Sequence, residues 1–289
     1  MDSLLRQHAG TREFVTAQVL MANRTRFVLV EGTSDLGFLT PHLGARARVA
    51  PVDGGREEVQ KAHQDLGVKG ANNFVALIDA DFNEVVGLNP RMPRLVYVSI
   101  SSDPMESTID LEATLIRTRA LRQVCGAILG NCIQDYGGPK AFTDEMRESL
   151  RRAAAAVGAY RAAVMSFFAE KKSIQGIGEV SDTEWESFVD LESGALDPSQ
   201  LERFVGTRVR NAMKFPLIKS MAADCLRNAE HGWLLCRGHD MTQLLALRLS
   251  TITRRPLDRR SVERQLLNSF KGNLLKDTAF GRELNAFCT

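Results

Sequence analysis

The sequence contains no apolar run close to the ~20 residues that a helix needs to cross a bilayer, so no membrane span is expected. Its opening stretch, MDSLLRQHAG, lacks a basic segment followed by an apolar one, which argues against a signal peptide and for a cytoplasmic protein. Cysteine is sparse. Cys125, Cys132, Cys225, Cys236 and Cys288 form no CxxC pair and show no Cys/His spacing of a zinc site. They read as reduced thiols, most of them packing residues. There is no Walker A motif, so any nucleotide-driven control has to come from a partner. Internal repeats, heptad runs and low-complexity linkers are also missing. What remains is an ordinary globular composition, 44% hydrophobic and 25% charged. The 289 residues suffice for one large domain or two ordinary ones.

The net charge of +2 hides an asymmetry. Residues 1–112 carry −4, residues 113–200 carry −2 and residues 201–289 carry +8. The last third includes TRRPLDRR, with Arg254, Arg255, Arg259 and Arg260. Such a stretch suits the phosphates of a nucleic acid, and it equally suits a solvated helix surface.

The N-terminal part alternates between two periodicities. Residues 11–22 have helical spacing, and Phe27–Val30 is an apolar strand. A short helix follows over Asp35–Leu43, then a short strand in ARVAPVDGG and a helix in REEVQKAHQDLG. Phe74–Ile78 and Arg94–Ile100 read as further strands. Strands separated by helices of this length predict βαβ units and a mainly parallel sheet, hence an α/β fold. Beyond Ile109 the pattern becomes helical, over Ala120–Leu129, Thr143–Glu170, Thr183–Leu191, Pro198–Met213 and Pro216–Glu230. Trp233–Cys236 is a short apolar run of strand type, expected to return to the sheet edge. Helices are expected again at Met241–Thr251 and Ser261–Leu267. The organisation predicted is a core over residues 1–112, a helical insertion over 113–230, and a return strand with basic helices over 231–289.

Carboxylates recur at the ends of the expected strands. Glu31 follows the first, Asp79 and Asp81 follow another in ALIDADFN, and Asp110 and Glu112 lie in STIDLEATL after a third. Parallel neighbouring strands bring such groups to one edge of the sheet, where open α/β folds place their ligands. Hard divalent cations take oxygen ligands, and Mg²⁺ binds through one or two carboxylates, waters and substrate phosphate. Glu31 suits a metal ligand, a general acid/base or a cap of the next helix. Asp110 and Glu112 also suit the first turn of a helix, through its dipole.

VLVEGTSD followed by VALIDADFN resembles the Toprim motif shared by topoisomerases, bacterial primases and nucleases of the overcoming-lysogenisation-defect group. The resemblance implies a Toprim-like, mainly parallel sheet flanked by helices, with a large helical insertion and a helical C-terminus. It assigns Glu31, Asp79 and Asp81 to catalytic Mg²⁺ or Mn²⁺. IDLEATLI and LLCRGHDMTQLLALRL are similar to a narrower branch, the small Toprim effectors of phage defence that work beside an ABC- or AAA-type ATPase. By that pattern Glu112 is a further catalytic acid with Asp110 beside it, and His239 and Asp240 line the same edge. For Asp240, a helix N-cap is the other reading. Lys271 and Lys276 are candidates, by position, for the lysine that the nucleases of this group add. Tyr97, Tyr136 and Tyr160 are the only tyrosines, none in a topoisomerase-like context, and primase appendages are missing.

The resemblance therefore implies a metal-dependent endonuclease of RNA, tRNA in particular, or of DNA. It would act as a toxic effector restrained by an ATPase partner, with a homodimer or homo-oligomer expected. Two rivals stand beside it. One is a non-catalytic scaffold of the same shape. The other is a phosphatase with Asp79 as nucleophile, against which Asn83 and the late strand position count.

Overall fold

Phe27–Val30 forms strand β1 because an unbroken apolar run of β-branched and aromatic residues is stable only when buried on both faces. All four of its residues are buried. In the computed structural model, which describes residues 10–22, 24–82, 85, 87, 92–98, 107–168, 177–209, 214–228, 232–270, 276 and 278–289, β1 lies inside a four-stranded sheet. The others are β2 (Arg48–Pro51), β3 (Phe74–Ile78) and β4 (Leu95–Tyr97). Their order is β2-β1-β3-β4 and all pairs are parallel, with Phe27 opposite both Arg48 and Phe74. Pro51 is tolerated because β2 is an edge strand. The chain is thus an α/β protein with twelve α-helices among its described residues.

Two compact units divide it. The first takes the described residues of Met1–Asp79, Pro90–Ser101 and Gly272–Thr289, and holds the whole sheet. Its helices are α1 (Arg12–Met21), α2 (Thr33–Leu43), α3 (Arg56–Val68) and, from the C-terminal end, α12 (Ala279–Cys288). Helix α3 buries Val59, Ala62, His63 and Leu66, one stripe at i, i+3, i+4 and i+7. His63 sets its ring edge against Phe74 and its Nε2 2.7 Å from the carbonyl of Pro93.

The second unit takes the described residues of Ala80–Asn89 and Ser102–Lys271 and is helical: α4 (Leu111–Arg117), α5 (Arg119–Leu129), α6 (Gly138–Phe168), α7 (Asp182–Phe188), α8 (Pro198–Arg208), α9 (Phe215–Asn228), α10 (Gly238–Thr253) and α11 (Arg259–Ser269). Helix α6 is buried without a break from Ala153 to Val164, which only a helix at the centre of a bundle tolerates. Its small residues let neighbours approach. A Cβ on Gly158 would collide with the carbonyl oxygen of Leu235.

That approach corrects one expectation. Trp233–Leu235 is a turn of 3₁₀-helix in the second unit, not a strand returning to the sheet edge. Gly232 is left-handed at φ +66° and turns the chain into it, and Leu235 is seated on α6. The division also departs from the expected one. Among the described residues, 107–112 go with the helices, and 276 and 278–289 go with the sheet. Ser99 and Ile100, expected in the last strand, lie outside the described residues.

Candidate functional site

In a sheet ordered β2-β1-β3-β4, the connections leave β1 and β3 in opposite directions. The carboxyl ends of β1 and β3 therefore mark the place where such folds bind ligands. Glu31 directly follows β1 and Asp79 directly follows β3. The structure brings them together: the Asp79 N–H donates to Glu31 Oε1 at 2.8 Å. Both are half-buried. Arg56, the first residue of α3, joins them there. Its Nη1 donates to the Asp79 carbonyl at 3.0 Å, and its guanidinium lies 5.9 Å from the centre of the Tyr97 ring. Gly54 and Gly55, at φ +100° and +71°, turn β2 into α3 and so deliver Arg56 to this end. Sequence reasoning passed over Arg56. Its signal was a Gly-Gly turn after a strand, with a cation opening the next helix.

Glu31 does not cap α2. Asp35 does so instead, accepting from the Gly32 N–H at 3.1 Å. Glu31 and Asp79 fit a magnesium-type site of one or two carboxylates completed by water and substrate. Among the described residues, no three His, Cys, Asp or Glu side chains form a cluster able to enclose a metal by themselves.

The boundary between the units falls inside the Asp-x-Asp pair, with Asp79 in the first and Asp81 in the second. Asp81 is left-handed at φ +50°, a conformation that Asp tolerates better than most residues at a cost of about 1–2 kcal/mol. It is held by Ile109, whose carbonyl accepts from the N–H groups of Ala80 and Asp81 at 2.8 and 3.1 Å.

The second unit gathers Asp110, Glu112, His239 and Glu263. Asp110 is the N-cap of α4 and is buried. Its Oδ1 accepts from the Ala113 N–H at 2.9 Å and its Oδ2 from the Gly238 N–H at 2.6 Å. Oδ1 thus caps α4 and Oδ2 ties it to α10, which gives Asp110 a structural role. Burial, and then the charge of Glu112, push its carboxyl up to about 7. Glu112 is half-buried, and burial raises it as well. His239 Nδ1 lies 3.2 Å from Glu263 Oε1, and this hydrogen bond raises the imidazole. Thr242 Oγ1 donates to the same oxygen at 3.1 Å.

Asp240 is engaged in a different way. It lies inside α10, so it is not an N-cap, and it is buried in an ion pair with Arg161, whose Nη2 also donates to the Gly178 carbonyl at 2.7 Å. Among the expected phosphate-binding arginines, Arg254, Arg255 and Arg260 are exposed. Arg259 is half-buried and turned onto Glu263 at 3.1 Å. It lines a cleft of about 400 Å³ together with Glu179, Asp182, Glu184 and Asp258, an acidic majority that does not suit phosphate. Lys276 is exposed, and Lys271 and Asn83 lie outside the described residues. No helix among the described residues is long and apolar enough to cross a membrane. Comparison with known protein families and with curated proteins gives no match.

Proposed function

We propose that this chain is a metal-dependent nuclease in which Glu31, Asp79 and Asp81 are the metal-holding carboxylates. The observation that carries the reading is the bond between Glu31 Oε1 and the Asp79 N–H, made where the order of the parallel strands reverses. Mg²⁺ or Mn²⁺, when bound there, supplies positive charge to a scissile phosphate and acidity to a coordinated water. The rest is done by the chain. The Asp79 N–H fixes the rotamer of Glu31 and orients its carboxylate at the strand ends. Arg56 anchors the Asp79 backbone, and its cation stands at the end where phosphate charge has to be balanced. The strained backbone of Asp81 is of the kind found at functional sites. Arg254, Arg255 and Arg260 are exposed and suited to backbone phosphates.

RNA as substrate, tRNA in particular, restraint by an ATPase partner, self-association and a role as toxic effector in phage defence are supported by the sequence resemblance alone. The test is incubation of the purified chain with total tRNA and with plasmid DNA, in Mg²⁺, Mn²⁺ or EDTA. Cleavage of one substrate is expected. It should require metal and vanish in Asp79→Ala/Asp81→Ala, and Arg56→Ala should slow it by about 10–100-fold as a supporting residue. Toxicity of the expressed chain that survives Glu31→Gln would favour the scaffold reading.

A further inference from the structure

The end of the sheet opposite Glu31 and Asp79 carries a second, unlike feature. Two Arg-x-Arg pairs occur at equivalent places in the chain. Arg24 and Arg26 lead into β1, while Arg46 and Arg48 lead into β2. Because β1 and β2 are parallel neighbours with Phe27 opposite Arg48, their starts lie side by side. The Arg48 N–H donates to the Arg26 carbonyl at 2.8 Å, which locks the pairs together. All four arginines line one cleft of about 470 Å³, and no Asp or Glu lines it.

Among the described residues, none of the four makes an ion pair with a carboxylate. Arg24 and Arg48 are exposed, and Arg48 lies 5.9 Å from the centre of the Phe27 ring. Arg26 is half-buried beside Phe287, with 5.8 Å between guanidinium and ring centre. Arg46 is held by neutral acceptors, the carbonyls of His42 and Leu43 and the side chain of Asn285. A concave surface holding four guanidinium groups and no carboxylate attracts polyanions, and the planar fork of arginine matches phosphate oxygens.

We infer that this arginine cleft binds the phosphate backbone of a nucleic acid, as an anchoring site separate from the carboxylates. The inference rests on the nucleic-acid reading above and adds where the polyanion is held. At about 3.3 Å per residue, β1 separates Arg26 from Glu31 by about 17 Å, or about five base-pair steps of duplex. A strand held in the cleft is therefore gripped well away from the bond to be cut.

The test measures binding of fluorescent single-stranded RNA and of inorganic pyrophosphate to the full chain over a salt series in EDTA. Wild type, Arg24→Ala/Arg48→Ala and Arg24→Lys/Arg48→Lys are compared, with circular dichroism to check folding and with cleavage assayed in parallel. The alanine pair should weaken RNA binding about tenfold. It should flatten the plot of log affinity against log salt by about 1.4, the value for two lost contacts on a single strand, and the lysine pair should restore that slope. RNA affinity that is equal in wild type and the alanine pair at every salt concentration would overturn the site. So would a wild type that binds no RNA, or arginine-dependent capture of pyrophosphate with RNA binding unchanged. Arginine-dependent binding without metal-dependent cleavage would leave the site standing and remove the nuclease reading. Cleavage with binding indifferent to the arginines would do the reverse.

Discussion

Gly238 shows how much can depend on a missing side chain. A Cβ there would collide with Asp110 Oδ1 and lie 2.8 Å from the Ala113 nitrogen, so Gly238→Ala must push α10 away from α4. Overpacking of this kind costs about 1–3 kcal/mol, and the variant should show a lower midpoint in urea. Asp110 itself makes stability depend on pH. Its folded pKa, about 7, stands above the ordinary 3.8. Its favourable contribution is therefore complete below about pH 4 and is lost as pH rises through about 7. Asp110→Asn removes this titration. The stability difference between wild type and variant should then shrink from pH 4 to pH 8, as urea melts at several pH values would reveal. His239 works in the same direction. Glu263 raises its pKa, so its contribution is present below its ordinary 6.5 and fades as pH rises through the folded value.

At the level of elements, the buried Arg161–Asp240 pair joins α6 to α10. Removing either partner leaves an uncompensated charge, so Arg161→Ala and Asp240→Ala should each cost about 3–5 kcal/mol. The double variant should cost less than the sum, a coupling that a double-mutant cycle in urea would measure. This pair was not legible in the sequence, because Arg161 lies in an alanine-rich helical run and Asp240 follows a Gly-His that invited a catalytic reading. What was legible was whatever a continuous apolar run and its punctuation dictate. Phe27–Val30 and Phe74–Ile78 match their expected bounds because each is apolar throughout and ends on an acidic residue. Trp233–Cys236 has the same apolar character, but four residues cannot declare a period, and packing on Gly158 decided the outcome. The placement of Glu31 and Asp79 at strand ends was readable, whereas that of Arg56 beside them and of the two arginine pairs at the opposite end was not. A charge total of −4 over residues 1–112 concealed a cleft with four positive groups.

For the whole molecule, the five cysteines report on how completely it is packed. Cys125, Cys236 and Cys288 are buried, Cys225 is half-buried and Cys132 alone is exposed. Burial raises the Cys125 thiol to about 12 and raises Cys236 further. Native protein should therefore show one thiol that reacts quickly with an aromatic disulfide reagent, lost in Cys132→Ser, and five once unfolded. A sheet whose strands all run one way also has a head and a tail that differ. Here the tail is cationic and the head carries carboxylates, so the sheet unit is an electrically polar body. A negatively charged bead would take hold of it by the arginine end, the end away from Glu31 and Asp79.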